Sequence, residues 1–291
     1  MAENLINLKR RINSVKNTQK ITRAMKTVAA VKLRKNVRKL NRTERFMRKI
    51  EYLLNRVGKE LDYDNFPLFE KREEGEVVII ALSSDKGLCG AFNSHVIKRV
   101  ENYYKDLEQN NEKVLFVTAG NKVYRDLIKK GYAIEKNHKS MISNLEFSDA
   151  VRLSEYLQEI YFNKDIKKVV FIYTEFISSS TQETTVKQIF PLEIEREENE
   201  IEEQEIEYIF EPSLQEIFEY ILPKYVSSLV YRILLGSIAS EHVARMIAMD
   251  IATKNADDMI KSLTLTMNKL RQASITRELL EIITATEALK V

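Results

Sequence analysis

The stretch whose residue types and spacing could do chemistry is SSDKGLCGAFN, at residues 83–93. It follows the apolar run EVVIIAL and precedes the helical stretch SHVIKRVENYYKDL. A strand, a glycine loop and a helix form many phosphate sites, because the exposed N–H groups at a helix start attract anions. Nucleotide binding is therefore the first function to consider.

The known nucleotide motifs do not fit this loop. The dinucleotide fingerprint needs the glycine pattern G-x-G-x-x-G and an acidic residue after the second strand. The loop has only Gly87 and Gly90, and the run VLFVT leads into Ala119, Gly120 and Asn121 without a carboxylate. The sequence also lacks the phosphate-loop pattern G-x-x-x-x-G-K-[ST]. We therefore predict a tight structural turn at the glycines and no bound cofactor.

Other catalytic arrangements are equally weak. Cys89 and His95 could pair as a thiol and its base, but a lone Cys in such a turn is more often a small packing residue. Ser83, Ser84 and Asp85 are typical of a helix-capping turn. The histidines lack metal-ligand spacing among themselves; they are His95, His138 and His242. No catalytic residue and no metal site is predicted.

The composition indicates long helices around this loop. Charged residues make up 31% of the 291, whereas Gly (7) and Pro (4) are scarce. The single Cys excludes an internal disulfide and suits a reducing compartment. The sequence has no long uncharged apolar run, and its start, MAENLINLKRR, lacks the apolar core of a signal peptide. We expect a cytosolic protein without a membrane-spanning segment.

The two ends of the chain have helical periodicity. Residues 3–57 lack Gly and Pro, and at 1.5 Å per residue they would form a rod about 80 Å long. Residues 224–291 contain one Gly and no Pro, and Gly236 and Ser240 would let a neighbouring backbone approach closely. An antiparallel coiled coil is the natural pairing. The first stripe comprises Leu5, Leu8, Ile12, Val15, Ile21, Met25, Val28, Leu33, Val37, Leu40, Phe46, Ile50, Leu53 and Val57.

The middle of the chain has a different pattern. The runs VVIIAL, KVLFVTAG and KKVVFIYTEF alternate with helical stretches, which favours a small parallel α/β sheet, and TTVKQIFPLEIE adds a strand or leads out. The predicted fold class is α/β, with a long antiparallel coiled coil of the N- and C-terminal helices and a central Rossmann-like domain. The predicted segments are a first helix at 1–60, the α/β domain at 75–192, an acidic connector at 193–211 and a last helix at 212–291.

The first helix is strongly basic, with sixteen Lys and Arg between residues 9 and 49 and only Glu3 and Glu44 as acids before Glu51. Its exposed face therefore needs an acidic partner, which could be phosphates or protein carboxylates. A basic coiled-coil nucleic-acid-binding protein is the alternative function. The basic stretch lacks interleaved aromatic residues for stacking on bases, which disfavours it.

Four segments resemble the gamma subunits of F-type ATP synthases, in the same order along the chain. They are LKRRINSVKNTQKITRAMKTVAAVKLRK, SSDKGLCGAFN, SEHVARMIAMDIATKNADDMI and MNKLRQASITRELLEIITATEAL. The resemblance implies a non-catalytic rotor shaft inside a hexamer of alpha and beta subunits, whose base docks on the epsilon subunit and the c-ring. It implies no specific nucleic acid, and a peripheral position on the cytoplasmic face of the bacterial inner membrane.

The resemblance also implies roles for individual residues. Contacts with the beta subunits are expected at Met25, Lys26, Arg245, Arg271, Gln272 and Thr276. Contacts with the c-ring or epsilon subunit are expected at Tyr208 and Glu211, in the stretch EYIFEPS. The acid-rich stretch from Glu193 to Glu207 matches no motif of the family.

Overall fold

The computed structural model describes residues 2–58, 66–193 and 211–288 of the chain. The chain forms two units: a coiled-coil unit, Met1–Ala30 with Arg245–Val291, and a sheet unit, Val31–Ala244. The two long terminal helices are α1 (Ala2–Gly58) and α5 (Leu214–Ala288), and each contributes residues to both units. Two long helices with an α/β sheet between them in sequence confirm the predicted fold class.

The described residues of the sheet unit form a five-stranded sheet. Its strands are β1 (Glu76–Leu82), β2 (Val114–Ala119), β3 (Ile134–His138), β4 (Ile166–Phe176) and β5 (Gln182–Phe190). Their order is β3-β2-β1-β4-β5, in which the first four strands are parallel and β5 runs antiparallel to β4. The stretch TTVKQIF therefore adds a strand. Strand β3 was not predicted from the sequence, because its only aliphatic residue is Ile134.

Three further helices connect the parallel strands. They are α2 (Phe92–Gln109), α3 (Asn121–Lys129) and α4 (Phe147–Asn163), and a 3₁₀ turn at Ile142–Asn144 precedes α4. Side chains alternate across a strand, so β1 contributes to two cores. Val77, Ile79 and Ala81 pack in a cluster with residues of α2 and α3, whereas Val78, Ile80 and Leu82 pack in a cluster with residues of α1, α4 and α5. Burial on both faces explains why the run EVVIIAL is apolar throughout.

Gly236 has a different neighbour from the one expected. A Cβ atom built on Gly236 would lie 3.8 Å from the backbone N of Phe176 and 4.0 Å from the Tyr173 ring, both at the end of β4. Those are ordinary van der Waals distances, so an alanine would fit. The glycine therefore faces the sheet rather than a second helix.

One helix among the described residues is long and apolar enough to pass a composition test for membrane spanning. This helix is α5, and the most apolar 18-residue window within Leu214–Thr286 has a mean hydropathy of 1.2. However, 72% of that window is buried inside the protein. A mostly buried window is what the core helix of a folded domain shows, so this finding is weak support for a membrane span.

The predicted acidic connector at 193–211 lies outside the described residues, apart from Glu193 and the exposed Glu211.

Candidate functional site

The loop after β1 is a tight turn, and Gly90 is the glycine that its backbone requires. Gly90 has φ 57°, a conformation that costs glycine little. Gly87 has no such requirement, because a Cβ atom there would meet only the end of the Lys122 side chain, 3.8 Å away. Between them, Leu88 adopts φ 63° with a side chain that is 63% exposed.

The polar groups of this loop bond to one another. Asn93 Oδ1 accepts a hydrogen bond from the Ser84 backbone N–H at 3.0 Å, and Asn93 Nδ2 donates to Cys89 Sγ at 3.1 Å. The Ser84 hydroxyl donates to the Lys86 carbonyl at 2.6 Å. Cys89 is 1% exposed, whereas His95 is exposed and is not among the thiol's partners. The Cys89 thiol therefore acts as a packed, bonded group rather than one half of a Cys–His pair.

Ser83 and Asp85 cap a helix, but it is α3 rather than the helix that follows them. The Val123 N–H donates to Ser83 Oγ at 2.9 Å, and the Asn121 N–H donates to Asp85 Oδ1 at 3.1 Å. These are N–H groups of the first turn of α3, and the start of a helix is a position where an anion can bind. A carboxylate of the chain already occupies that position.

Within the coiled-coil unit, α1 and α5 pair in antiparallel orientation through polar contacts. The Thr22 and Thr253 hydroxyls are 2.8 Å apart, and each residue is 8% exposed. On either side, Gln19 Nε2 donates to Asp257 Oδ1, and Lys26 Nζ donates to Asp250 Oδ1 at 2.5 Å. Later residues of α1 therefore meet earlier residues of α5, as an antiparallel pair requires.

The buried face of α1 matches the predicted stripe at Ile12, Leu33, Leu40 and Ile50 but is shifted by one position around Ile21 and Val28. The predicted residues Ile21 and Val28 are 59% and 56% exposed, whereas their neighbours Thr22 and Ala29 are buried. Small and hydroxyl side chains thus occupy the helix interface here, and larger aliphatic side chains face outwards. On the α5 side of the coiled-coil unit, the buried residues are Met249, Thr253 and Ala256, of which the last two have the same character.

The outer surface of the coiled-coil unit is both apolar and basic. Its exposed large apolar residues are Ile6, Ile21, Val28, Ile247, Ile251, Met259, Leu265, Ile275, Leu279, Leu280, Ile282 and Ile283. Its exposed cations on α1 are Lys9, Arg10, Arg11, Lys16, Lys20 and Arg23, and none has an ion-pair partner among the described residues. Exposed apolar surface on this scale marks a site of protein interaction.

The end of α5 continues beyond its partner. The antiparallel register set by the three polar contacts places Ala2 opposite Ser274, so residues 275–288 have no α1 residue opposite them in the described chain. In this stretch Ile275, Leu279 and Ile282 are 47–62% exposed. We call residues 275–288 the tip of α5.

The structure places the residues predicted to contact other subunits in two groups. Arg271, Gln272 and Thr276 are exposed at or beside the tip, with the Thr276 hydroxyl bonded to the Gln272 carbonyl at 3.0 Å. Met25 and Arg245 are half-buried in the coiled-coil unit. Lys26 is bonded to Asp250, which also bonds Lys254 at 3.1 Å. The predicted site Tyr208 lies outside the described residues.

The polar contacts between α1 and α5 were not predictable from the sequence. The partners are far apart in the sequence: 238 residues separate Gln19 from Asp257, 231 separate Thr22 from Thr253, and 224 separate Lys26 from Asp250. The one indication in the sequence was that isolated hydroxyl residues lie on the same helix face as the apolar stripes.

A double-mutant cycle on the hydroxyl pair tests this register. We expect Thr22→Val and Thr253→Val to be coupled by about 1 kcal/mol in the free energy of unfolding, since a net hydrogen bond contributes about that much. Urea unfolding of the four proteins, followed by far-ultraviolet circular dichroism, gives the coupling. Strictly additive single effects would show that the two hydroxyls do not interact.

Comparison with known proteins gives consistent matches. A family model described as ATP synthase matches residues 4–289. The ATP synthase gamma chain of Geotalea uraniireducens is 38% identical over 288 residues, covering 98% of this chain and 99% of that protein. That of Aquifex aeolicus is 39% identical over 284 residues, covering 97% of each.

Solved structures share the fold. The central stalk and c-ring structure of the Tetrahymena thermophila mitochondrial ATP synthase contains a chain that is 24% identical, with a TM-score of 0.58 over 80% of this chain and 99% of that one. A chain of the Euglena gracilis mitochondrial ATP synthase rotor, in rotational state 1, is 15% identical, with a TM-score of 0.63 over 94% and 100%.

Proposed function

Because this chain belongs to the ATP synthase gamma-chain family, we propose that it is the central rotor shaft of an F-type ATP synthase. In this role it couples ion flow through the c-ring to the conformational cycle of the alpha and beta subunits, which synthesise or hydrolyse ATP. The observation that carries the proposal is the family match, which includes both terminal helices and the sheet between them. The matches give no support to the nucleic-acid-binding alternative.

The surface of the coiled-coil unit suits a shaft that turns inside a sleeve of subunits. A rotating shaft meets several equivalent subunits in succession, so a strong specific bond to one of them would hold it in place. Exposed aliphatic side chains and unpaired cations give attraction that depends little on orientation, because neither the hydrophobic effect nor a screened charge is directional. The exposed residues of α1 and α5 supply both kinds of contact.

Contacts with the beta subunits are proposed at Met25, Lys26, Arg245, Arg271, Gln272 and Thr276. The exposure of Arg271, Gln272 and Thr276 supports direct contact. Lys26 is bonded to Asp250 within the chain. Its proposed contribution is therefore to hold Met25 and the neighbouring backbone in position for contact with the beta subunits. Glu211, which is exposed, and Tyr208 are proposed to contact the c-ring or the epsilon subunit.

The chain is proposed to be non-catalytic. Two observations support this: the loop 83–93 is closed by its own hydrogen bonds, and neither Gly87 nor Gly90 belongs to a dinucleotide or phosphate-loop pattern. As a gamma chain it is a subunit of a peripheral membrane complex, and we propose that the complex lies on the cytoplasmic face of a bacterial inner membrane.

Single-molecule rotation tests the function directly. The chain is assembled with the alpha and beta subunits of its own organism, the hexamer is fixed to a surface, and a bead is attached at Lys105→Cys, an exposed site on α2. We expect the bead to turn in one direction when ATP is added. The native Cys89 is buried and should not react with the label.

The matched control carries the bead on an alpha subunit, where no rotation is expected. Beads on this chain that stay still while the complex hydrolyses ATP would contradict the rotor function.

A further inference from the structure

A cavity of about 310 Å³ opens in the sheet unit, where β3 ends and α4 begins. It is far smaller than a dinucleotide site and lies at the lower end of the range for ligand pockets. None of the residues proposed to contact other subunits lines it. Its polar lining consists of His138, Lys139, Ser140, Asn144, Asp149 and Arg152.

The cavity is rich in hydrogen-bond donors. The Lys ammonium and the Arg guanidinium only donate, the Ser hydroxyl and the Asn amide can donate, and a neutral imidazole donates from one nitrogen. Asp149 is the exception, and both of its oxygens are occupied. Its Oδ1 accepts a bond from Arg152 Nη2 at 2.5 Å, and its Oδ2 accepts one from the Glu146 N–H at 2.9 Å.

The cavity also carries excess positive charge. The charges of Arg152 and Asp149 offset each other, and the Lys139 ammonium has no carboxylate partner among the described residues. The Lys136 ammonium lies next to this region, 3.7 Å from the centre of the Tyr156 ring. An anion entering the cavity would therefore be attracted rather than repelled.

His138 lines the cavity with a half-buried imidazole ring. Its Nε2 is buried and has no hydrogen-bond partner among the described residues. Burial, followed by the charge of Lys136, lowers the pKa of the imidazole, which keeps the ring neutral at pH 7. The positive charge of the cavity therefore comes from Lys139 rather than from the imidazole.

The backbone at the rim is strained. Ser140 adopts φ 62°, a conformation that residues other than glycine rarely take. Such strain is concentrated at binding sites, where the surrounding structure holds a side chain in a required direction. Here the strained residue lies in the short connection between β3 and the 3₁₀ turn, which carries Lys139 and Ser140.

We propose that this cavity binds a phosphate oxyanion, either free inorganic phosphate or the phosphate group of a small metabolite. The donors come from β3, the following turn and α4, so they can surround a tetrahedral anion that has several acceptor oxygens. The site shares no residue with the proposed contacts to other subunits, and it does not depend on the proposed function.

Equilibrium dialysis of the full chain against radiolabelled inorganic phosphate tests the site, with chloride used to hold the ionic strength constant. We expect one saturable site per chain. Lys139→Gln should weaken binding about tenfold, the effect of removing one charge-assisted hydrogen bond. Lys105→Gln, which removes the same charge from an exposed position on α2, should leave binding unchanged.

Two further readouts sharpen the test. Phosphate should shift the imidazole nitrogen signals of His138 but not those of the exposed His95 in a nuclear magnetic resonance titration. Displacement of the label by glycerol 3-phosphate at lower concentration than by phosphate would identify an organic phosphate as the ligand, and weaker displacement would identify free phosphate. The absence of saturable binding at millimolar phosphate, or equal weakening by Lys139→Gln and Lys105→Gln, would overturn the proposal.

Discussion

Gly120→Ala is expected to lower the free energy of unfolding of the sheet unit by more than about 4 kcal/mol, the range reached only by severe backbone or core defects. Gly120 connects β2 to α3 with φ 106° and ψ 139°, a region open essentially to glycine alone. A Cβ atom there would lie 2.0 Å from the Ser83 carbonyl oxygen and 2.7 Å from the Ser83 Oγ. Ser83 follows β1 and Gly120 follows β2. Since Ser83 Oγ also caps α3, the ends of these two strands cannot move apart without breaking other bonds.

Gly131→Ala is the matched control. Gly131 has φ 86°, but a Cβ atom there meets nothing within 4 Å, so only conformational strain of about 1–2 kcal/mol is expected. Hydrogen exchange of the β1 and β2 amides, together with thermal unfolding, measures both effects. Equal losses for the two variants would show that the approach of Ser83 to Gly120 is not the cause.

Leu263→Pro is expected to remove most ATP-driven ion pumping by the reconstituted complex, whereas Leu263→Ala should retain most of it. Leu263 is half-buried in the coiled-coil unit, near the level of the buried Ile12 in the antiparallel register. Proline inside a helix costs about 3 kcal/mol, because it removes a backbone hydrogen bond and clashes with the preceding turn. A bent shaft cannot turn inside a close-fitting sleeve.

The proline already present in α5 does not weaken this expectation. Pro223 lies in the sheet unit, between Leu222 and residues such as Tyr225 that are buried in the core. Core packing there offsets a local defect, whereas in the described part of the chain α1 alone lies opposite Leu263. Assembly of each variant with alpha and beta subunits is checked separately. A proline variant that assembles and pumps as well as the alanine variant would refute the stiff-shaft mechanism.

The sequence predicted the parts of the fold that depend on local patterns. The run EVVIIAL is apolar on both faces of a strand, and residues 3–57 lack helix breakers, so β1 and α1 follow from periodicity and composition. Strand β3 could not be found in this way. It lies at an edge of the sheet, where polar side chains reach solvent, so the sequence IEKNH carries no burial pattern.

The candidate site was predictable only in outline. The resemblance to the gamma subunits identified the family, which the comparisons confirm. Periodicity selected Ile21 and Val28 as interface residues because they are the larger aliphatic side chains, but close helix packing favours the smaller Thr22 and Ala29. The capping role of Ser83 and Asp85 was expected, but its target α3 depends on the tertiary contact between two loops.

The separation in sequence of the two coiled-coil partners has a consequence for the synthesis of the chain. Thr22 and Thr253 are 231 residues apart, so at 5–20 residues per second α1 emerges from the ribosome roughly 10–45 s before its partner is complete. During that time the interface side of its first thirty residues has no α5 to cover it. The density of Lys and Arg on the same helix keeps neighbouring nascent chains apart by repulsion. The charge that equips the finished helix for its partners would thus also protect it from aggregation before it folds.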